Sequence, residues 1–480
     1  MVALTIFEII DLTVLALLLI VLSIYLYKNK KRLGTDGILL LYRTQWGVKL
    51  IDKIGKKYQK TLKFLSYVSV GVGYILMAGI IYLLGNTVWQ YLTNPLVVEA
   101  IKAPPIAPLI PYFPRLFGLQ SFFPPFYALY FIAAILIVAT VHEFAHGIFA
   151  RRYGVRIKST GFAFLKFFPA IFGAFVEQEE KDMEKTKKFE QMSILSAGVF
   201  ANVIVGVLAF ILLIVFFNLA FAPSGAVFYD YVYEVVPIAG ITSIANITLE
   251  NPDYEQVIEI LNNTNNGGLV EIKSGGKNYV GIRGFVSGSE EYLALYRNLP
   301  AINSGLKGIL VEIDGVKANT FEELREVLLK HSPGETVSIK NGKGETFEFE
   351  LAEHPNAEGL PYLGITNLNQ RKGLLGSMTH YLSALQQKNL YLKNNSYYAP
   401  SFYGAEFWYY LLWWIVMINV LVALFNMLPL GILDGGRFFY LTFLSLTGSE
   451  KGAKRAFSFL TYLILFAFIA LMVKWTLRFF

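Results

Sequence analysis

His142, Glu143 and His146 stand in the order His-Glu-Phe-Ala-His near the end of a long apolar stretch. Four residues apart on an α-helix, two histidines share a face, about 40° apart around the axis. Both imidazoles then reach one Zn²⁺, and Glu143, one residue on, stands close enough to hold the water that a zinc hydrolase uses. Two histidines and a glutamate inside a membrane segment are costly, so their presence there is a functional signal. The chain has five histidines and no cysteine, which excludes thiolate ligands, disulfides and cysteine nucleophiles.

A catalytic zinc takes three protein ligands and keeps one position for water. His331, His354 and His380 fall in a hydrophilic stretch that the topology below puts across the membrane from the pair, so the third ligand must be a carboxylate. Glu8 and Asp11 lie toward the opposite face, and Glu177, Glu179 and Glu180 read as solvated. Asp434 follows a later apolar span at the same cytosolic end as His142 and His146. Taken alone it also reads as a turn residue before Gly435-Gly436.

The elements that must position these residues are membrane spans. Of 480 residues, 55% are apolar and 16% charged, the composition of a polytopic α-helical membrane protein. The net charge of +7 gathers beside the apolar runs, as the positive-inside rule expects, and points to a lipid surface and not to nucleic acid. Six spans are predicted, at about 12–27, 64–84, 126–150, 192–221, 407–428 and 457–473. Lys28, Lys30, Lys31 and Arg32 close the first on the cytosolic side, and Arg151, Arg152, Arg156 and Lys158 close the third. Both termini then lie outside. Glu8 and Asp11 ahead of the first apolar run argue against a cleavable signal peptide.

Between the spans, about 43–60 is basic with Trp46, Leu50, Ile51, Ile54 and Tyr58 interleaved; it reads as a helix on the cytosolic membrane surface, or else as a solvated basic loop. Prolines 104, 105, 108, 111, 114, 124 and 125 forbid a regular helix in the outer loop. Val155 to Val176 holds two short β-prone runs, Gly161-Phe-Ala-Phe and Gly173-Ala-Phe-Val, around Pro169. This predicts a β-hairpin dipping into the membrane beside the metal, whose open edge could pair with an extended substrate; a packed interfacial loop is the alternative. The charged run from Glu177 to Glu190 is read as a cytosolic link. In the fourth span Ser196-Ala-Gly198 permits close helix contact, and Asn202 is a polar group in need of a partner, either a substrate carbonyl or another helix.

Residues 222–405 turn hydrophilic and fall outside by alternation, with sequons at Asn246, Asn262 and Asn394. Pro300 to Val316, Phe321 to Leu328 and Pro333 to Ile339 read turn, strand, turn, helix, turn, strand. This order is similar to a PDZ domain, with Tyr231-Val-Tyr-Glu-Val-Val as its first strand, an insertion at about 238–298, and a helical linker at about 374–392 leading back to the membrane. A PDZ-like α+β domain would offer a groove to a peptide.

His142-Glu143-Phe144-Ala145-His146, followed late in the chain by Asn426-x-x-Pro429-x-x-x-x-Asp434-Gly435, resembles the site-2 protease family of intramembrane zinc metalloproteases. The resemblance implies Zn²⁺ on His142, His146 and Asp434, with Glu143 as general base and then general acid. It also implies that Asn426 holds substrate or oxyanion. Asn202 matches the asparagine of the family's A-G-P-x-x-N pattern, with Val199 in place of the proline; substrate or oxyanion contact is expected of it too. The substrates implied are membrane-spanning proteins already trimmed by another protease. A prokaryotic, archaeal plasma membrane is favoured over an internal eukaryotic one.

The expected organisation is two spans with an interfacial helix (1–91), the outer Pro-rich loop (92–125), the first half of the catalytic core (126–222), the PDZ-like domain (223–405) and the second half of the core (406–480). The rival class is an inactive membrane scaffold or receptor that binds peptide tails. A di-iron oxidase would need more ligands than these, and no repeated halves suggest a transporter.

Overall fold

The computed structural model of the chain describes residues 5–30, 33–93, 104, 109–112, 123–228, 230–263, 269–282, 287–288, 291–366, 392–393 and 395–477. The chain divides into two compact units, Met1–Asn218 with Gly404–Phe480, and Leu219–Tyr403.

The first unit holds six helices long and apolar enough to cross a bilayer, among the described residues: α1 (Ile6–Lys28), α3 (Gln59–Thr93), α4 (Ala128–Arg152), α6 (Lys188–Ala220), α7 (Ala405–Asn426) and α9 (Glu450–Leu477). At 1.5 Å per residue the shortest, of 22 residues, still extends about 33 Å, enough for the hydrocarbon core. Among the described residues three shorter helices accompany them: α2 (Trp46–Lys57), α5 (Glu180–Lys185) and α8 (Asp434–Thr447). All six expected spans are present, several with longer ends. The sequence reading missed α5 and α8, because both are too short and too mixed in polarity to stand out beside the spans. Most of the Pro-rich loop, and positions 374–391 of the expected helical linker, lie outside the described residues.

Helix α2 forms where the interfacial helix was expected, but its contacts are deeper than a surface role requires. Gly47, Ile51 and Gly55, four apart, make one buried stripe. Ile51 is fully buried against α4, where a Cβ on Gly147 would stand 2.7 Å from the Ile51 Cδ1. Trp46 and Tyr58 remain exposed.

The expected hairpin is present as β3 (Ile157–Leu165) and β4 (Phe172–Gln178), and it belongs to a larger sheet. An unforeseen hairpin, β1 (Leu33–Asp36) and β2 (Leu39–Thr44), turns at Gly37-Ile38 and pairs with β3, Leu39 opposite Leu165 and Thr44 opposite Thr160. The order β1-β2-β3-β4 leaves β4 as an edge.

Two apolar clusters flank α6. One joins Ile51, Ala145, Phe149 and Val176 to Ile194 and Ala197. The other joins Val70, Met77, Ala423, Met427, Phe438 and Leu441 to Met192 and Val199. Helix α6 therefore joins the two clusters, and α4 and α7 also pack directly on each other, Tyr130 against Phe407.

The second unit has two cores. One contains Leu310, Ile313, Leu324, Val337 and Ile339; the other contains Ile241, Ile244, Val257, Val270 and Ile272. Both repeat one arrangement. Ile241–Ile244 turns into Ile247–Thr248, precedes the helix Tyr254–Asn263, and pairs with Leu269–Ser274, which pairs with Lys277–Ile282. Leu310–Ile313, Val316–Lys317, the helix Phe321–Leu328, Thr336–Asn341 and Thr346–Glu350 do the same in the same order. The stretch expected to be an insertion is thus a second copy of the motif. Tyr233–Pro237, expected to open the later copy, pairs instead with Tyr292–Arg297 in the earlier sheet. The later copy takes Phe221–Ala226 as its added strand. Alternation alone could not tell which of two similar sheets would claim a given strand.

Candidate active site

Helix α4 starts where a carboxylate waits for it. Asp11 of α1, 3% exposed, accepts Ala128 N–H at 2.8 Å and Leu129 N–H at 3.0 Å, and also the Tyr112 hydroxyl. Those amides have no partner inside the helix, and a negative charge suits that end of its dipole. The carboxylate left out of the metal reading therefore anchors the opposite end of the same helix.

His142 and His146 lie in the last three turns of α4, 7% and 6% exposed. Asp434 is the first residue of α8, eight positions after Asn426 ends α7. The intervening chain turns at Pro429 and lies tightly against the start of α8. A Cβ on Gly435 or Gly436 would run into the backbone of Met427 or Leu430, so this turn needs both glycines. Asp434 is thereby carried to the histidines, 292 positions from His142 in sequence.

The three side chains converge. His142 Nε2 and His146 Nε2 are 3.0 Å apart, and Asp434 Oδ2 is 3.1 Å from the first and 3.2 Å from the second. Zinc bonds of about 2.0–2.1 Å at tetrahedral angles set donor atoms about 3.3 Å apart, so a donor triangle of this size fits the ion. Two imidazole nitrogens and a carboxylate oxygen facing one another have more lone pairs than protons to share, and a cation answers all three. Among the described residues no other group of three metal-ligating side chains of this kind occurs.

Space for this convergence comes from α6. A Cβ at Gly198 would stand 2.7 Å from His142 Nε2 and closer still to His146 Nε2. Small residues at 196–198 predict close helix contact; what comes close at Gly198 is the pair of imidazoles.

The neighbouring groups divide by side. Asn426 Nδ2 lies 3.4 Å from His142 Nε2, on the donor side. The Glu143 carboxylate accepts Val176 N–H at 3.1 Å. Val176 faces Thr160 across the β3–β4 pair, and its N–H points to Glu143 and away from β3, along the free edge of β4. Behind the rings, His146 Nδ1 meets the Ile194 carbonyl at 2.6 Å, and the Asn202 amide lies 3.1 Å from His142 Nδ1. Asn202 is fully buried.

The remaining histidines are elsewhere. His331 pairs with Glu335 at 3.1 Å and Asp314 at 3.5 Å in the second unit, His354 packs on Tyr362, and His380 lies outside the described residues. Sequence reasoning missed the Ile194 carbonyl and the Val176 amide, as backbone groups carry no residue signature.

Residues 130–471 match peptidase family M50, a range that begins two positions into α4 and takes in every residue of the donor set. An uncharacterized protein of Methanocaldococcus jannaschii is 32% identical over 203 residues, 40% of this chain and 48% of that protein. The chain spans about half the length of this relative. With six membrane-length apolar helices and a match across most of its length, the chain is an integral membrane protein that belongs to peptidase family M50, the site-2 protease family.

Proposed function

We propose that the protein is an intramembrane zinc metalloendopeptidase that hydrolyses peptide bonds in or near the transmembrane segments of other membrane proteins. The observation that carries this reading is the triangle of His142, His146 and Asp434 donor atoms beside Glu143, whose carboxylate accepts an N–H from the edge of β4. Zinc held by these three residues would supply a Lewis acid that polarises the scissile carbonyl and makes water acidic enough to react near neutral pH. Glu143 takes the proton of the attacking water. Its Oε2 is engaged by the Val176 amide, which leaves Oε1 to carry that proton to the leaving nitrogen. Asn426, within reach of the same space, donates its amide N–H to the carbonyl oxygen as negative charge develops there.

A transmembrane substrate hides its carbonyls in helical hydrogen bonds and must unwind before it is cut. The edge of β4 that no strand pairs with offers the freed backbone groups hydrogen-bonding partners, and would bring the substrate backbone past Glu143. Residues 219–403 are proposed to lie outside the cytosol as a tandem of PDZ-like modules that either bind the end of a pre-cleaved substrate or exclude bulky outer domains. The archaeal relative favours a prokaryotic plasma membrane as the setting.

Purified Glu143→Ala is compared with wild type on a single-span substrate. Loss of the proton carrier is expected to lower cleavage about 10²–10⁴-fold. Cleavage at the wild-type rate would remove Glu143 from the mechanism.

A further inference from the structure

Ile194, Gly198 and Asn202 are spaced four apart on α6 and so form one stripe of that helix. Each meets the metal-site imidazoles. The Ile194 carbonyl lies 2.6 Å from His146 Nδ1, Gly198 leaves room for both Nε2 atoms, and the Asn202 amide lies 3.1 Å from His142 Nδ1. A carbonyl only accepts, so His146 carries its proton on Nδ1 and presents a bare Nε2 to the site. In a helix the Ile194 carbonyl points toward residue 198, and the missing side chain there lets the ring reach it.

His142 needs the same arrangement, since its Nε2 faces Asp434 Oδ2 and His146 Nε2. An acceptor must then stand at its Nδ1. Carboxamide nitrogen and oxygen fill the same volume, so chemistry chooses between two orientations of Asn202. With Nδ2 toward the ring, His142 would be driven to carry its proton on Nε2, in the middle of the donor triangle, and Oδ1 would be left buried with no partner. We infer that Asn202 is a positioning residue, whose Oδ1 accepts the Nδ1–H of His142 and holds Nε2 unprotonated, and that the Ile194–Gly198–Asn202 stripe of α6 sets the tautomer of both histidines. Asn202 thus acts on the metal ligand from behind, away from substrate. This rests on the proposed zinc site but not on proteolysis.

The test measures zinc affinity of the full-length protein in detergent by chelator competition, with the visible spectrum of the Co²⁺ form as a second readout. Asn202→Leu keeps the bulk and removes the acceptor; Asn202→Asp keeps an acceptor oxygen at Nδ1. Outer-sphere partners of this kind change affinity about 10–100-fold. Asn202→Leu is expected to fall in that range and to alter the Co²⁺ bands, and Asn202→Asp is expected to restore both. Melting of the metal-free proteins reports folding. If Asn202→Leu does not fold, the ¹⁵N spectrum of histidine-labelled, zinc-loaded wild type replaces it, with both site rings expected to be protonated at Nδ1. Wild-type affinity in Asn202→Leu overturns the inference, as does an Asn202→Asp variant as weak as Asn202→Leu, or a zinc-loaded wild type with His142 protonated at Nε2. Failure of wild type to bind zinc at all would instead sink the metal site itself.

Discussion

At the scale of single residues, the site is decided by which atoms can approach and which cannot. Gly198 poses the sharpest conflict between local and tertiary preference. In the middle of a helix, Gly→Ala is ordinarily stabilising by about 0.5–1 kcal/mol. Here the added methyl meets both imidazoles. Gly198→Ala is therefore expected to lower zinc affinity on the order of 100-fold, as loss of ligand positioning does elsewhere, while α6 stays helical by circular dichroism. Unchanged affinity would mean that the histidines have room to move. Removing a ligand is the harsher change: His146→Ala is expected to eliminate the bound zinc, about one ion per chain in wild type by metal analysis, because two donors do not hold the ion. The histidine pair and its glutamate were legible from type and spacing. Asp434 was reached by excluding the other candidates, and its neighbours Gly435 and Gly436 show why no bulkier turn would deliver it.

At the scale of elements, α4 is gripped along its length by pieces the sequence presents as unrelated. Asp11 caps its first turn, and Ile51 of α2 packs into the gap at Gly147 near its last. Ile51→Ala is expected to destabilise the protein by about 2–4 kcal/mol, the cost of emptying a fully packed site, read as a lowered melting temperature in detergent. A change under about 0.5 kcal/mol would show that α2 merely rests on the surface. In the second unit Glu234 ties the earlier sheet together, accepting from the Tyr279 hydroxyl at 2.8 Å and pairing with Lys277 and Arg297 at 3.4 and 3.5 Å. The Tyr279 hydrogen bond above all, then those cations, hold its carboxyl below the usual carboxylate range. A depressed folded value means stability that is present above the unfolded value, near 4.5, and lost as pH falls through the folded one. Hydrogen exchange of residues 277–282 and 292–297 in the full protein is expected to separate wild type from Glu234→Gln at pH 7 and to converge in acid. A gap that persists at low pH would place the effect in packing. The β3–β4 hairpin is legible from two short β-prone runs around Pro169, whereas β1–β2 is marked only by Asp36-Gly37 ahead of one short apolar run, Ile38 to Leu41.

At the scale of the molecule, the second unit enters and leaves through neighbouring strands. Phe221–Ala226 pairs with Ser396–Pro400, and Ser401 N–H donates to the Ala220 carbonyl at 2.8 Å. Its ends are adjacent, so a short linker can replace residues 224–400 without stretching the chain. If the unit acts as a filter, the deletion is expected to cut full-length and pre-trimmed substrates at similar rates, while the intact protein prefers the trimmed one. No preference in either form would dismiss the filter. The duplication inside this unit is also on view in the sequence, in Pro237-Ile-Ala-Gly beside Pro300-Ala-Ile-Asn and in Val270-Glu-Ile beside Val337-Ser-Ile. The copies keep nearly the same spacing, with strand, helix and next strand starting at 241, 254 and 269 in one and at 310, 321 and 336 in the other, but so few residue types are shared that the repeat is faint.

What the sequence determined by itself is the chemistry and its medium. Histidine spacing on a helix, the lack of cysteine, and apolar runs of membrane length follow from local geometry and composition, which need no partner to be read. Only the tertiary structure decided how these are held. The donor triangle is closed by residues nearly 300 positions apart, Glu143 is oriented by a strand amide, and one stripe of α6 stands behind both imidazoles. Each of these depends on backbone groups or missing side chains brought together by packing, and neither kind has a periodicity or a residue type that announces it.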